Sequence, residues 1–369
     1  MDFIEVRVEL GKRSYSVFIG YDLLQRASRF LPSCEAKKCY VLTDSNVAPL
    51  YLEPLERSLK NGGLEVFHQV IPAGETSKDL KTASEILGEM IKVGLTREDL
   101  MVALGGGVVG DIGGFVASIY KRGIKVLHVP TTLMAQVDSS IGGKTAVNLP
   151  EGKNMVGTFH QPVSVIADVL TLETLDEREF RSGLAEVAKY SFIGGQGWGF
   201  DMELLPSSVC SQNVETLSEV IGKCVSIKAG YVSEDEFDTL GKRAMLNYGH
   251  TLGHALEAAS EYSGAYTHGE SIAIGMVFAS IVAEGEGIAK GSLTKKHCEV
   301  LQALGLPAGF TQFTPSFDDI FPFIERDKKS KGDIAMVLLE EVGKPILSRG
   351  ISKDRLGSAY EELLRISEK

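Results

Sequence analysis

The segment LNYGHTLGHALE (Leu246–Glu257) carries two histidines, His250 and His254, four residues apart. On a helix that step stacks two imidazoles on one face, the arrangement a metal site can use. The glutamate that follows the first histidine in a metalloprotease helix is missing, so that motif does not apply. If the helix extends back to Arg243, about 100° per residue puts Arg243, Asn247, His250 and His254 in one sector of about 60°. Met245, Leu246, Tyr248, Leu252, Ala255, Leu256 and Ala259 cover the other side. A solvent face would favour Lys and Glu, so an Arg-Asn-His-His stripe lines a site. AYTHGESIAIG places His268 just ahead of an apolar helix, and SGLAEVAKYSF places Glu186 and Lys189 three apart on another. Two histidines and a carboxylate with an open position suit a catalytic zinc. Spacing leaves open which two of His250, His254 and His268 join the carboxylate.

A second group of residues has the chemistry of anion binding. In LMVALGGGVVGDIGGFVASIY, Gly105, Gly107 and Gly110 fit G-x-G-x-x-G between a strand and a helix, where backbone amides cradle a pyrophosphate. The motif is not on the first strand and no acidic residue closes a strand about 20 residues later, so it departs from the usual dinucleotide fingerprint. Asp111 at the helix start could fix a loop or a ribose. Downstream, VPTTLMAQVDSSIGGKTAVNLPEGKNMVG (Val129–Gly157) contains GGKT, but Asp138 stands where a P-loop needs its first glycine. That reading fails. What remains is a long polar loop bearing Asp138, Lys144, Lys153 and Asn154 directly after a strand end, where ligands sit in open α/β sheets.

The elements that must position these groups change character along the chain. IEVRVEL and SYSVFIG alternate with period two around GKRS and predict a hairpin. KCYVLTD, LEVFHQVI, DLMVALGGG, IKVLHVPTT and SVIADV read as short strands. Between them lie amphipathic stretches such as DLKTASEILGEMIKVGL, with Leu80, Ala83, Ile86, Leu87, Met90 and Ile91 on one face. This predicts a mostly parallel α/β sheet. Beyond about residue 170 helical periodicity dominates, apart from a small hairpin predicted around Gly343 and Lys344. The expected domains are therefore 1–170, α/β, and 171–369, mainly helical.

Composition narrows the function classes. Of 369 residues, 44% are hydrophobic and 24% charged, with a formal net charge of −11, which argues against nucleic-acid or anionic-membrane partners. An anionic ligand would need a local basic pocket. Five cysteines in no metal or disulfide spacing read as reduced thiols. The start MDFIEVRVELGKR is wrong for a signal peptide, and the apolar run Ile272–Ala283 is too short to span a bilayer. A cytoplasmic protein is expected.

Together these stretches resemble the 3-dehydroquinate synthase family of the sugar-phosphate cyclase superfamily. The match runs from TDSN (Thr43–Asn46) through PAGETSK, GGGVVGD, Y-K-R-G, VPTTLMAQVDSSIGGKTAVN, GKNMVG, SGLAEVAKY and LNYGHTLGHALE to THGE and RDKK, in family order. The resemblance implies a Rossmann-like NAD domain followed by a helical metal- and substrate-binding domain, assembled as a homodimer. It implies Glu186, His250 and His268 as ligands of zinc or cobalt. NAD would lie along Asp44, Asn46, Glu75, Lys78, Gly107, Val108, Val109, Gly110, Asp111, Thr131, Thr132, Asp138, Lys144 and Lys153, and the turn Thr171, Leu172, Glu173 and Thr174. Substrate contacts would come from Arg122, Asp138, Lys144, Asn154, Lys189, Lys228, Arg243, Asn247, His254 and Lys328, the last preferred over Lys329. His254, Asp238, Lys144, Lys189, Arg243 and Asn247 would carry the chemistry.

The implied reaction turns 3-deoxy-D-arabino-heptulosonate 7-phosphate into 3-dehydroquinate and phosphate. It proceeds by transient oxidation at C5, elimination, re-reduction, ring opening and aldol closure. One stretch departs from the family. DEFDTLGKR is one residue longer than usual, with Asp238 where a second glutamate is expected. Sibling cyclases acting on glucose 6-phosphate or sedoheptulose 7-phosphate share the plan, but Arg122, Asn154 and Arg243 suit a carboxylated substrate. A metal-dependent polyol dehydrogenase would not need so many lysines, and an NAD sensor would not need intact metal and base positions.

Overall fold

The computed structural model describes residues 3–31, 35–200, 202, 205–210, 213–260, 264–328 and 334–368. The elements, in chain order, are β1 (Phe3–Val8), β2 (Tyr15–Gly20), β3 (Lys38–Asp44), α1 (Glu53–Asn61), β4 (Glu65–Ile71), α2 (Leu80–Lys92), β5 (Leu100–Gly105), α3 (Gly107–Ile119) and β6 (Lys125–Pro130). They continue with β7 (Lys144–Leu149), β8 (Gly152–Phe159), β9 (Ser164–Asp168), α4 (Glu177–Gly194), α5 (Leu205–Cys210), α6 (Val214–Glu234), α7 (His250–Ala259) and α8 (His268–Gly285). The chain closes with α9 (Leu293–Ala303), α10 (Phe317–Lys328), β10 (Ala335–Leu339), β11 (Pro345–Arg349) and α11 (Lys353–Ser367). Two units result: Met1–Leu175 with Val214–Phe237, and Asp176–Asn213 with Asp238–Lys369.

In the first unit a seven-stranded sheet runs in the order β1-β2-β9-β6-β5-β3-β4. Only β1 is antiparallel, pairing with β2 from Phe3 against Gly20 to Val8 against Tyr15, the hairpin that the alternation predicts. β5 shows why the rest is parallel. Leu100, Val102 and Leu104 enter the core on one face, and Met101 and Ala103 enter that on the other. A strand buried on both faces needs helices above and below, which crossover connections supply.

Three differences from the sequence reading concern what periodicity cannot see. By position helix α6 falls in the second domain expected from the sequence, but it packs in the first unit, with Gly222 against Ile4 of β1. Its period identifies a helix, not the body that covers it. The stretch 129–157 is not one loop: β7 and β8 form an antiparallel hairpin, Lys144 against Phe159, after a short π-helical turn, Ala135–Ser139. Gly157 permits the hairpin, since a Cβ there would lie 1.9 Å from the Thr145 carbonyl oxygen. The helix carrying the Arg-Asn-His-His stripe is also broken. A 3-10 turn, Arg243–Asn247, ends at extended Tyr248, and Gly249 at φ 80° starts α7. Only glycine fits there: a Cβ would lie 2.8 Å from the Ile272 carbonyl oxygen.

The second unit is mainly helical, with β10 and β11 pairing around Gly343, φ 86°, as expected. The apolar run Ile272–Ala283 forms the buried body of α8. Among the described residues, no helix is long and apolar enough to cross a membrane.

Candidate functional site

The two units hold two clusters built by different means. In the first, β5 ends in Gly105 and α3 starts at Gly107, with no side chain capping its first turn. Side chains would be crowded around the turn. A Cβ on Gly105 would sit 2.7 Å from Val109, one on Gly106 3.0 Å from Thr132, and one on Gly107 3.3 Å from Ser139. Val109 is fully buried and anchors the helix. The turn thus presents backbone amides and a helix N-terminus at the carboxyl end of the sheet, the geometry that accepts a pyrophosphate. The hydroxyls of Thr43 and Thr131 nearby in the fold, at the ends of β3 and β6, are buried without a hydrogen-bond partner. Such groups fit a polar ligand better than an apolar core. Beneath the turn, burial lowers the His128 imidazole to about 4, so it is neutral.

Around this turn several of the expected site residues are held by separate groups of hydrogen bonds. Lys78, 4% exposed, donates to Asp111 and to Asn154 Oδ1, both at 2.5 Å. Burial raises the Asp111 carboxyl above its ordinary value, against the pull of Lys78. Asn148 was not singled out in the sequence. Its Nδ2 donates to Glu75 (2.8 Å), its Oδ1 accepts from the Asn154 amide (2.9 Å), and its own amide donates to the Lys78 carbonyl. Asn154 itself adopts φ 58°. Gln136, also missed, is fully buried and donates to the Pro130 and Asp168 carbonyls and to Thr171 Oγ1. It ties the ends of β6 and β9 to the turn holding Thr171, Leu172, Glu173 and Thr174, where Tyr51 bonds Thr174 at 2.5 Å. Thr132 caps the Ala135 amide, and Asp44 caps Asn46 and Val47.

Asp138, on the π-helical turn, meets Lys228 of α6: Lys228 Nζ lies 2.9 Å from its carboxylate and 2.8 Å from its carbonyl. Lys144 opens β7 and Lys153 lies in β8. Arg122 is not brought into this cluster within the chain. It follows the far end of α3, about 20 Å from the Gly107 turn at 1.5 Å per residue, in a loop where Lys121 and Arg122 both take positive φ, 48° and 67°.

In the second unit glycines bring three segments together. A Cβ on Gly269 would lie 2.0 Å from the Ser182 carbonyl oxygen, and one on Gly275 1.9 Å from that of Gly249. The start of α8 therefore lies backbone to backbone against α4, and its middle against the start of α7. Arg178 holds Glu270, which closes a capping box with Thr267 at the first turn of α8. This places ligand atoms of Glu186, His250 and His268 within 4.8 Å of one another. His250 Nε2 and His268 Nε2 lie 3.7 and 3.5 Å from Glu186 Oε1. The other ring nitrogens are tied back: His250 Nδ1 to the Tyr248 carbonyl at 3.1 Å, and His268 Nδ1 to Glu257 at 3.2 Å. Both Nε2 atoms thus face the carboxylate, as metal-bound imidazoles do.

The electrostatics agree. For His268, burial opposes charge, but hydrogen bonds to Glu186 and Glu257 outweigh it and raise the imidazole to about 10. Burial, then the Lys189 charge, hold His250 well below its usual value. Two carboxylates thus draw a positive charge into a buried position, and the Glu-His-His donor set with tethered imidazoles fits a divalent cation. His254 stands outside the triad, its ring centroid 5.1 Å from that of His250. Lys189, 1% exposed, contacts Glu186 and sits over the Tyr190 ring. Arg243 is buried and Asn247 half-buried on the 3-10 turn, and Asp238 adopts φ 55° in this unit. Lys328 ends α10; its side chain and Lys329 lie outside the described residues.

Solved sugar-phosphate cyclases share this fold over nearly the whole chain. A solved 2-deoxy-scyllo-inosose synthase, complexed with carbaglucose-6-phosphate, NAD+ and Co2+, superposes with TM-score 0.87 at 28% identity, covering 97% of this chain and 100% of that one. The 2-epi-5-epi-valiolone synthase of Streptomyces hygroscopicus, with NAD+ and Zn2+ bound, gives 0.85 at 26%, covering 97% and 99%. Within this class the chain belongs to the 3-dehydroquinate synthase family. The family's N-terminal model matches residues 68–182 and its C-terminal model residues 183–330. The 3-dehydroquinate synthase of Acidithiobacillus ferrooxidans is 44% identical over 344 residues, 92% of this chain and 93% of that protein.

Proposed function

We propose that this chain converts 3-deoxy-D-arabino-heptulosonate 7-phosphate into 3-dehydroquinate and phosphate, as a phosphate-eliminating carbon–oxygen lyase of the shikimate pathway. The convergence of Glu186, His250 and His268 on one point carries the reading, and full-length relatives of that name support it. The first unit is assigned NAD, and the second the metal. When bound, NAD supplies a hydride acceptor that is restored each turnover, and zinc or cobalt supplies a Lewis acid for the C5 hydroxyl.

The chain's own residues do the rest. His254, one turn beyond His250, is assigned the proton at the C5 oxygen, and Asp238 the part of the carboxylate that assists it. Lys144, Lys189, Lys228, Arg243, Asn247 and Asn154 hold the substrate carboxylate and phosphate, where charge-assisted bonds are strongest. A ketone at C5 acidifies C6–H, so phosphate leaves by elimination and can itself take that proton. Re-reduction, ring opening and an aldol step close the carbocycle. Enclosure matters, because an escaped intermediate leaves the cofactor reduced.

The test is phosphate release from the 7-phosphate substrate by the chain with NAD and zinc, without NADH accumulation. Steady NADH build-up would instead favour a polyol dehydrogenase, and faster phosphate release from glucose 6-phosphate or sedoheptulose 7-phosphate a sibling cyclase. The proposal includes a cytoplasmic homodimer, which sedimentation checks for mass.

A further inference from the structure

His297 of α9 is a fully buried histidine with no part in the chemistry above. Its Nδ1 donates to the Leu293 carbonyl at 2.8 Å, one helical turn back, which leaves Nε2 as an acceptor. That acceptor is 2.8 Å from the Tyr248 hydroxyl, so the phenol donates to it. Tyr248 is also fully buried, and its carbonyl receives the Nδ1 proton of His250. On its other side the His297 ring stacks on Phe192, centroids 3.7 Å apart and 8° from parallel. Phe192 belongs to α4, the helix that carries Glu186. His297 thus grips two of the three ligand-bearing segments, that of His250 by a hydrogen bond through Tyr248 and that of Glu186 by its face.

An apolar pair of the same volume would fill this space without the cost of burying an imidazole and a phenol. What the polar pair adds is direction. It fixes Tyr248 at the break between the 3-10 turn and α7, and with it the carbonyl that sets the tautomer and aim of His250. We propose that His297 is a positioning residue of the metal centre, acting through Tyr248 on His250. The inference rests on His250 being a metal ligand.

The experiment titrates metal-free protein with zinc against a competing chelator and records the absorption spectrum of the cobalt-substituted form. The variants are His297→Phe, Tyr248→Phe and the double variant, all measured well below their melting temperatures. Each single variant should weaken zinc about tenfold, the loss typical of an outer-sphere partner, and shift the cobalt spectrum. The double variant, with no stranded polar group, should recover melting temperature but not zinc affinity. Unchanged zinc affinity and cobalt spectrum in Tyr248→Phe, which keeps the volume of the side chain, would overturn the proposal even if His297→Phe fails to fold. A fall in melting temperature alone would mark a packing role and overturn it as well. His250→Ala separates the two levels: if it binds zinc like the parent, the ligand reading itself falls. If it loses zinc while the other variants do not, only the positioning role falls.

Discussion

The nucleotide cluster of the first unit and the metal cluster of the second solve the same problem, holding a charged ligand, with opposite materials. The first is made of main chain. Its turn offers amides, and Gly105, Gly106 and Gly107 matter for what they lack. The second is made of titratable side chains buried together, where Glu186, Glu257, His250 and His268 set one another's charge. A main-chain cradle should be sensitive to added atoms, and a side-chain cluster to removed ones.

The largest effect expected is on the side-chain cluster. His250→Ala should weaken zinc more than about 100-fold, beyond the loss of an outer-sphere partner, as read by chelator competition. His254→Ala should keep its zinc yet lose turnover by about 10²–10⁴-fold, as for a general acid–base group. Equal metal loss in the two variants would erase the division of roles. Next is acid sensitivity, which the two units should share. His128 and His297, one in each, are held near 4 by burial, below an unfolded value of about 6.5. Between those values the unfolded chain takes up protons the folded chain refuses. Stability is therefore full above about pH 6.5 and falls towards pH 4, by about 3 kcal/mol per histidine. Denaturant titrations of each single His→Phe variant should show a flatter slope across that window; an unchanged slope would break the parallel.

Smaller effects should separate the units again. Gly105→Ala must move Val109 at the foot of the nucleotide turn, at a cost of about 1–3 kcal/mol. NAD affinity by calorimetry should fall while zinc affinity holds. A loss of zinc in this variant would show that the clusters are not independent. Asn148→Ala strands the Asn154 amide and should cost about 1 kcal/mol, with a few-fold weaker NAD and unchanged zinc affinity.

The sequence made the two clusters unequally legible. Side-chain type narrowed the metal ligands to a carboxylate with two of His250, His254 and His268; the family resemblance, not spacing, implied Glu186, His250 and His268, the three that the structure gathers. The parallel sheet was legible because β5 and its neighbours are apolar runs between amphipathic helices. The long segment 129–157 hid a hairpin because its polar residues and glycines look alike in a loop and on an exposed strand pair. Gly249 broke a helix that residue spacing made continuous, since the reason for it, the approach of Ile272 and Met276, lies in another helix. Asn148 and Gln136 were overlooked for a similar reason. Their work is to satisfy backbone groups and other side chains, and nothing in their own neighbourhood says so. Arg122 sits in a matching motif, but motif order does not measure distance along α3.

Helix α6 has a consequence for inheritance. The chain leaves the first unit after Leu175, returns for Val214–Phe237, and leaves again. A gene cut at 175 would not deliver the first unit whole, because the helix packed on β1 and carrying Lys228 would be missing. Recombination between relatives can therefore exchange one unit intact only by crossing over at three places. A chimera made by a single crossover near the apparent boundary would pair the Asp138 of one parent with the lysine of the other.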